Sequence, residues 1–182
     1  MEADRVEIAG VQLFRLEPHR DDRGSLTEVY RRAWVEGGRE ARQANLSWSH
    51  PGVLRGLHWH YRRANFWCVL SGVAHVALVD LREGSPTRKA THMKRIDAGS
   101  QRYGLSIPPG VAHGFFAETD VLMLLLVDAY YTGDDEHGLA WNDPGLGLSW
   151  PSQRPVLSER DRANPSLEQV LEEPPEYRPM EA

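Results

Sequence analysis

Cysteine and lysine are both scarce in this chain. Among 182 residues only Cys68 is present, which excludes an internal disulfide framework and a zinc site built from cysteine alone. It lies inside the apolar run Phe66-Trp67-Cys68-Val69-Leu70, where a thiol reads as a packing group rather than a nucleophile. Lysine occurs only at Lys89 and Lys94, so the positive charge is nearly all arginine, a side chain suited to bidentate phosphate contacts. Long apolar runs are missing too: the longest, Val121 to Val127, is far too short to cross a bilayer. No N-terminal stretch resembles a signal peptide, and a cytoplasmic protein is expected. The formal net charge of −5 excludes a general basic surface for nucleic acid or anionic lipid. A few local arginines still suffice to hold a phosphorylated ligand.

What is present is ordinary for a globular protein: 41% hydrophobic and 26% charged residues, enough to bury a full core in one domain. Helical periodicity is weak. Short β-branched and aromatic runs recur between Gly, Pro, Asp and Asn, predicting strands near 11–17, 25–31, 42–49, 53–60, 65–70, 73–80, 89–97, 103–107, 113–118 and 121–129. Many short strands at such spacing predict an all-β barrel or double-sheet jelly roll, with the core at about 10–165. One short C-terminal helix is expected to start at Pro165-Ser166 and to bury Leu167, Val170 and Leu171. Glu173-Pro174-Pro175 ends it, and the rest of 166–182 is expected to be an arm or tail.

Two segments carry the chemistry. Arg55-Gly56-Leu57-His58-Trp59-His60 sets two histidines two apart on an extended strand, hence on one side of it. About fifty residues later, Pro108-Pro109-Gly110-Val111-Ala112-His113 can deliver a third from a distant strand. Three convergent imidazoles fit a proton-transfer site, a metal site or a polar pocket. A trio of neutral imidazoles can hold a divalent transition metal and leave positions open, so His58, His60 and His113 form a candidate ligand set.

Gly52, His58-Trp59-His60, Asn65 and Gly72 match the spacing of the first cupin motif, with Asn65 where a glutamate is usual. Asn65 brings no charge and is a poor replacement ligand. The match extends further. Asp21-Asp22-Arg23-Gly24-Ser25-Leu26-Thr27-Glu28, Gln43-Ala44-Asn45-Leu46-Ser47-Trp48-Ser49 and Gly52-Val53-Leu54-Arg55-Gly56-Leu57-His58 follow in order. Then come Val79-Asp80-Leu81-Arg82-Glu83-Gly84-Ser85-Pro86-Thr87, Ala112-His113-Gly114-Phe115, Trp141-Asn142-Asp143-Pro144, Ser149-Trp150-Pro151 and Leu157-Ser158-Glu159-Arg160-Asp161. From about residue 10 to residue 170 this series resembles the dTDP-4-dehydrorhamnose 3,5-epimerase family.

The resemblance implies a cupin-type jelly roll, a homodimer with exchanged N-terminal strands, and an isomerase acting on a dTDP-4-keto-6-deoxy sugar without a cofactor. It assigns His58 as base, Asp161 as the carboxylate that orients it, and His113 as a pocket histidine. Arg23, Glu28, Gln43, Asn45 and Arg55 are the implied contacts to the nucleotide diphosphate. A hydrogen beside a ketone is weakly acidic, a positioned imidazole can remove it, and the enolate then needs donors or a cation near its oxygen.

The chain also departs from the family. Asn65 replaces the lysine that helps to stabilise the enolate, Leu125 replaces the tyrosine that returns a proton, and His60 replaces a glutamine. His60 and His113 are the candidate substitute acid or polariser. Three other readings stand beside the first. Arg-Gly-x-His-x-His also resembles the sugar 3,4-ketoisomerases, whose paired histidines shuttle protons on one face. A metal-dependent cupin and a catalytically silent sugar-nucleotide binder are the remaining two.

Overall fold

Turn residues cut the chain into thirteen strands among the residues that the computed structural model describes, which are 3–4, 6–35, 37 and 40–178. They are β1 (Ala3–Asp4), β2 (Gln12–Leu16), β3 (Pro18–Asp21), β4 (Gly24–Thr27), β5 (Gln43–Ser49), β6 (Leu54–Trp59) and β7 (Asn65–Ser71). There follow β8 (Val73–Asp80), β9 (Thr91–Asp97), β10 (Arg102–Ile107), β11 (Val111–Ala117), β12 (Val121–Val127) and β13 (His137–Gly138). Two one-turn helices, α1 (Glu159–Arg162) and α2 (Leu167–Val170), come last.

The strands form a six-stranded sheet in the order β1-β2-β10-β7-β12-β5 and a five-stranded sheet in the order β13-β6-β11-β8-β9. From β5 to β8, and again from β9 to β13, successive strands alternate between the two sheets. That alternation, with antiparallel pairing throughout both, is the winding of a jelly roll, as the strand pattern predicts. The hairpin β3–β4 pairs only with itself and stands outside both sheets.

Three apolar layers hold this together. Trp67, Val69, Val76, Leu78, Leu105, Val111, Phe115 and Met123 fill the space between the sheets. Leu54, Leu57, Trp59, Ala77, Val79 and Phe116 lie on the outer face of the five-stranded sheet, covered by Leu139, Trp141, Leu146, Trp150 and Val170 of the C-terminal segment. Phe14, Leu16, Phe66 and Cys68 make a third cluster on the outer face of the other sheet. Because β11 is covered on both faces, all seven of its residues are buried, and its sequence reads as a nearly unbroken apolar run. Strand β5, at an edge, is largely exposed and polar by comparison.

The expected C-terminal helix exists but is a single turn. Ser166 and Gln169 form a reciprocal capping box at its start, and Val170 buries as expected. Residues 179–182 of the expected tail lie outside the described residues. Helix α1 is an element that sequence periodicity missed, since four residues give no period to read. Its start is nonetheless marked by Ser158, whose side chain accepts from the Asp161 backbone N–H.

Candidate active site

Strand β6 carries the site because of an irregularity in its pairing. His58 stands opposite His113, and Arg55 opposite Phe115, so three residues on β6 span two on β11: a β-bulge. Without it, Arg55 and His58 would fall on opposite faces. With it, both share the inner face with His113 and Phe115, while Leu54, Leu57 and Trp59 face the outer layer. Two glycines allow the close approach. A Cβ on Gly56 would lie 2.7 Å from the Gly114 Cα, and one on Gly114 would lie 2.7 Å from the Arg55 carbonyl oxygen.

Helix α1 brings the partner. His58 Nε2 lies 2.6 Å from Asp161 Oδ1, across 103 residues of sequence. Asp161 is 5% exposed and His58 is 25% exposed. Burial opposes ionisation of Asp161, but hydrogen bonds from His58, the charge of His58, Ser158 and the Gly56 backbone together hold it below the usual carboxylate range. The ionised carboxylate therefore accepts the Nε2–H of His58 and fixes that tautomer, which leaves the Nδ1 lone pair free for a proton. A cleft of about 360 Å³ opens here, lined by Arg55, His58, Val156, Ser158, Arg160 and Asp161 among others. A second cleft, of about 40 Å³ and lined by Tyr30, Val35, Phe66 and Leu126, does not include the dyad.

The other two histidines are placed differently. His60 is buried, donates from Nδ1 to the Asp135 carbonyl at 2.6 Å, and lies 2.9 Å from Arg63 Nη2 through Nε2. Arg63 in turn holds Glu136 at 2.6 Å. Burial, then the Arg63 charge, pushes the His60 imidazole down to about 3 despite the Asp135 bond. His113 is also buried and donates from Nδ1 to the Val111 carbonyl at 2.8 Å. Burial, then the neighbouring His60, lowers its imidazole well below the ordinary value. Both rings are neutral at neutral pH.

Their engagements correct the candidate metal set. Each ring nitrogen of His60 is engaged, and His58 turns Nε2 to Asp161. Among the described residues no group of three or more His, Cys, Asp or Glu side chains is arranged to hold a metal ion.

Of the implied nucleotide contacts, Arg55 lines the cleft and is steered by Ser49 Oγ at 2.9 Å. Gln43 and Asn45 sit on β5, bonded to each other at 3.0 Å. Asn45 stands opposite Leu125, which puts Leu125 and its strand neighbour Trp67 on the inner face. Asn65 is buried at the start of β7, opposite Val127 and Ile107. Arg23 and Glu28 are not among the cleft-lining residues. Arg23, 90% exposed in the turn between β3 and β4, pairs with Asp21, and Glu28 pairs with Arg31. Tyr131, expected in a core or interface, is exposed and carries Arg63 over its ring. Ser158 and Arg160 line the cleft although neither was singled out, even though both belong to the Leu157-Ser158-Glu159-Arg160-Asp161 motif.

A jelly roll with a histidine–carboxylate dyad facing a cleft defines a cupin-like protein equipped for proton transfer. Comparison with known proteins gives the family. Residues 5–169 match the profile of dTDP-4-dehydrorhamnose 3,5-epimerase, and the chain belongs to that family of isomerases. It is 39% identical over 170 residues to the dTDP-4-dehydrorhamnose 3,5-epimerase of Pseudomonas aeruginosa, covering 89% of this chain and 93% of that one. Among solved structures it resembles NovW, a 4-keto-6-deoxy sugar epimerase from the novobiocin cluster of Streptomyces spheroides, with TM-score 0.90 and 32% identity over 100% of this chain and 96% of that one. It also resembles ChmJ, a 3'-monoepimerase from Streptomyces bikiniensis solved with dTDP-quinovose, with TM-score 0.87 and 29% identity over 94% and 92% of the two chains.

Proposed function

We propose that this protein epimerises a dTDP-4-keto-6-deoxy sugar at a carbon next to the ketone, with His58 as the base. The observation that carries this reading is the 2.6 Å contact between His58 and the buried, ionised Asp161 beside the cleft. His58 Nδ1 takes the proton, the C–H electron pair moves to form the enolate, and Asp161 stabilises the imidazolium that results. The carbon is then reprotonated and the ketone restored. Oxidation state does not change, so no redox cofactor is required. Arg55 is the cleft residue suited to a diphosphate oxygen.

The source of the returning proton is the open part of the chemistry. His60 and His113 each commit their single N–H to a carbonyl, and Leu125 has no proton to give. We assign return on the opposite face to solvent entering the cleft. The same observation favours a second reading, in which His58 hands its proton back on the original face and the sugar isomerises or merely exchanges hydrogen.

Incubation with a dTDP-4-keto-6-deoxy sugar in deuterated water tests both. Deuterium beside the ketone with inverted configuration supports epimerisation, and deuterium without inversion supports the second reading. Wild-type protein that exchanges nothing, or His58→Ala that exchanges normally, overturns the role of His58.

A second copy of the chain is the proposed partner, in the cytoplasm. The self-paired hairpin exposes Leu26 (71%), and β5 exposes Leu46 (67%) and Trp48 (60%), apolar surface that a neighbouring subunit would cover. Light scattering should give twice the monomer mass, and a monomer at micromolar concentration would end this assignment.

A further inference from the structure

Strand β7 carries two buried N–H donors that have no partner among the described residues: Asn65 Nδ2 and Trp67 Nε1. Two residues apart on one strand, they share a face. That face is the inner one, because Trp67 stands opposite Leu105 and Leu125 and meets the His113 ring edge-on at 4.9 Å. His113 is in turn the cross-strand neighbour of His58. The base thus sits on one sheet, and the two donors look toward it from the facing sheet.

We infer that Asn65 and Trp67 form a neutral oxyanion site that receives the ketone oxygen of the substrate as it becomes an enolate. Buried N–H groups are almost always paired, so two unpaired donors on one face call for an acceptor that arrives from outside. Their surroundings strengthen them: Leu125, Leu105 and Val127 flank the pair, and a hydrogen bond in a dry, apolar setting is stronger than one in water. Arg63 adds a cation at the same end of the sandwich, through its contact with His60, whose ring lies 5.3 Å from that of His113. The enolate can then form on an interior that offers no lysine. In the step itself, the C–H pair becomes the enolate π bond, the carbonyl π pair moves to oxygen, and the two N–H groups hold that oxygen until a proton returns to carbon.

This inference rests on the proposed proton abstraction, and the experiment separates the two. Deuterium exchange into a dTDP-4-keto-6-deoxy sugar is compared for wild type, Asn65→Leu, Asn65→Asp and Trp67→Phe, alongside titration with dTDP. Loss of one oxyanion donor is expected to lower kcat about 100-fold or more, with the affinity for dTDP unchanged. Asn65→Asp is the decisive variant. It keeps the shape of asparagine, so a merely structural role would be rescued, whereas an acceptor facing the enolate should leave exchange at least as slow as in Asn65→Leu. Exchange at the wild-type rate in Asn65→Asp or in Trp67→Phe overturns the inference while leaving His58 as base.

A second readout does not depend on turnover. The Trp67 indole N–H resonance, assigned by its loss in Trp67→Phe, should move on adding the 4-keto sugar nucleotide and stay in place on adding dTDP. Should wild type fail to exchange, the proposed reaction falls and the donor pair is judged on that resonance alone. A resonance unmoved by the 4-keto sugar nucleotide refutes the site.

Discussion

Replacing His60 by glutamine should flatten the acid sensitivity of this protein. In the unfolded chain the His60 imidazole binds a proton below its ordinary value of 6.5, whereas in the folded protein it does so only below about 3. Between those limits the unfolded state holds the extra proton, so stability rises with pH and is lost on acidification. At pH 7 the penalty is negligible. At pH 5 it amounts to about 2 kcal/mol, from one and a half pH units at about 1.4 kcal/mol each. His113, lowered in the same direction by burial, adds a further loss in the same window.

Glutamine can serve both contacts of His60, its amide N–H to the Asp135 carbonyl and its oxygen to Arg63, but it does not titrate. Urea denaturation at pH 7, 6 and 5, at fixed protein concentration, measures the difference. Wild type should lose about 2 kcal/mol more than His60→Gln between pH 7 and pH 5. Equal losses in the two proteins would show that His60 is not the buried neutral group described above.

Three further outcomes follow from the geometry. Asp161→Asn removes the charge that stabilises the His58 imidazolium, and should cut turnover by about a thousandfold or more while dTDP binding, measured by calorimetry, stays within about twofold. Gly114→Ala places a Cβ 2.7 Å from the Arg55 carbonyl, where only backbone can give way. A loss of about 1–3 kcal/mol in urea, together with slower exchange as His58 shifts, is expected. Arg82→Ala strands Asp80, which is fully buried and bonded to Arg82 at 2.7 and 2.9 Å. It should cost about 3–5 kcal/mol of stability by denaturation without changing KM.

Fold was legible in the sequence because its signal is local. The Pro, Gly and Asp punctuation lies between the strands, and the ten expected strands each find a counterpart within a few residues. The exceptions have physical reasons. The expected strand at 25–31 ends at Thr27, and its partner β3 was unread because an exposed hairpin has no buried face to impose alternation. The two-residue strands β1 and β13 are too short to carry a pattern.

At the site, the shared face of His58 and His60 followed from parity, but that of Arg55 and His58 did not. Three residues apart reads as opposite faces until the bulge opposite His113 and Phe115 is seen. The pairing of His58 with Asp161 was readable only through family resemblance, since nothing in local spacing joins residues 103 apart. What no pattern could supply was the state of the other two histidines. Their neutrality depends on Arg63, Asp135 and Val111, contacts made by loops and backbone carbonyls.

Those states bear on the departure at Asn65. Abstraction creates two opposite charges at once, an imidazolium at His58 and an enolate oxygen. A lysine across the cavity would stabilise the oxygen but repel the imidazolium, and the separation of the two charges would decide the balance. Asparagine and tryptophan N–H groups act as dipoles aimed at one atom, so they favour the anion with little penalty to a cation on the opposite sheet. With His60 and His113 both neutral, the imidazolium then has Asp161 against it and no competing charge from either neighbouring ring. An interior without lysine is therefore compatible with enolate chemistry, provided that the apolar flank supplied by Leu125 and Leu105 keeps water from the donors. The tyrosine position is a separate matter, because a leucine there strengthens the donors yet removes the opposite-face acid. Stability of the enolate and stereochemistry of its reprotonation are thus set by different residues, and substitutions at 65 and 125 should change rate and product configuration independently.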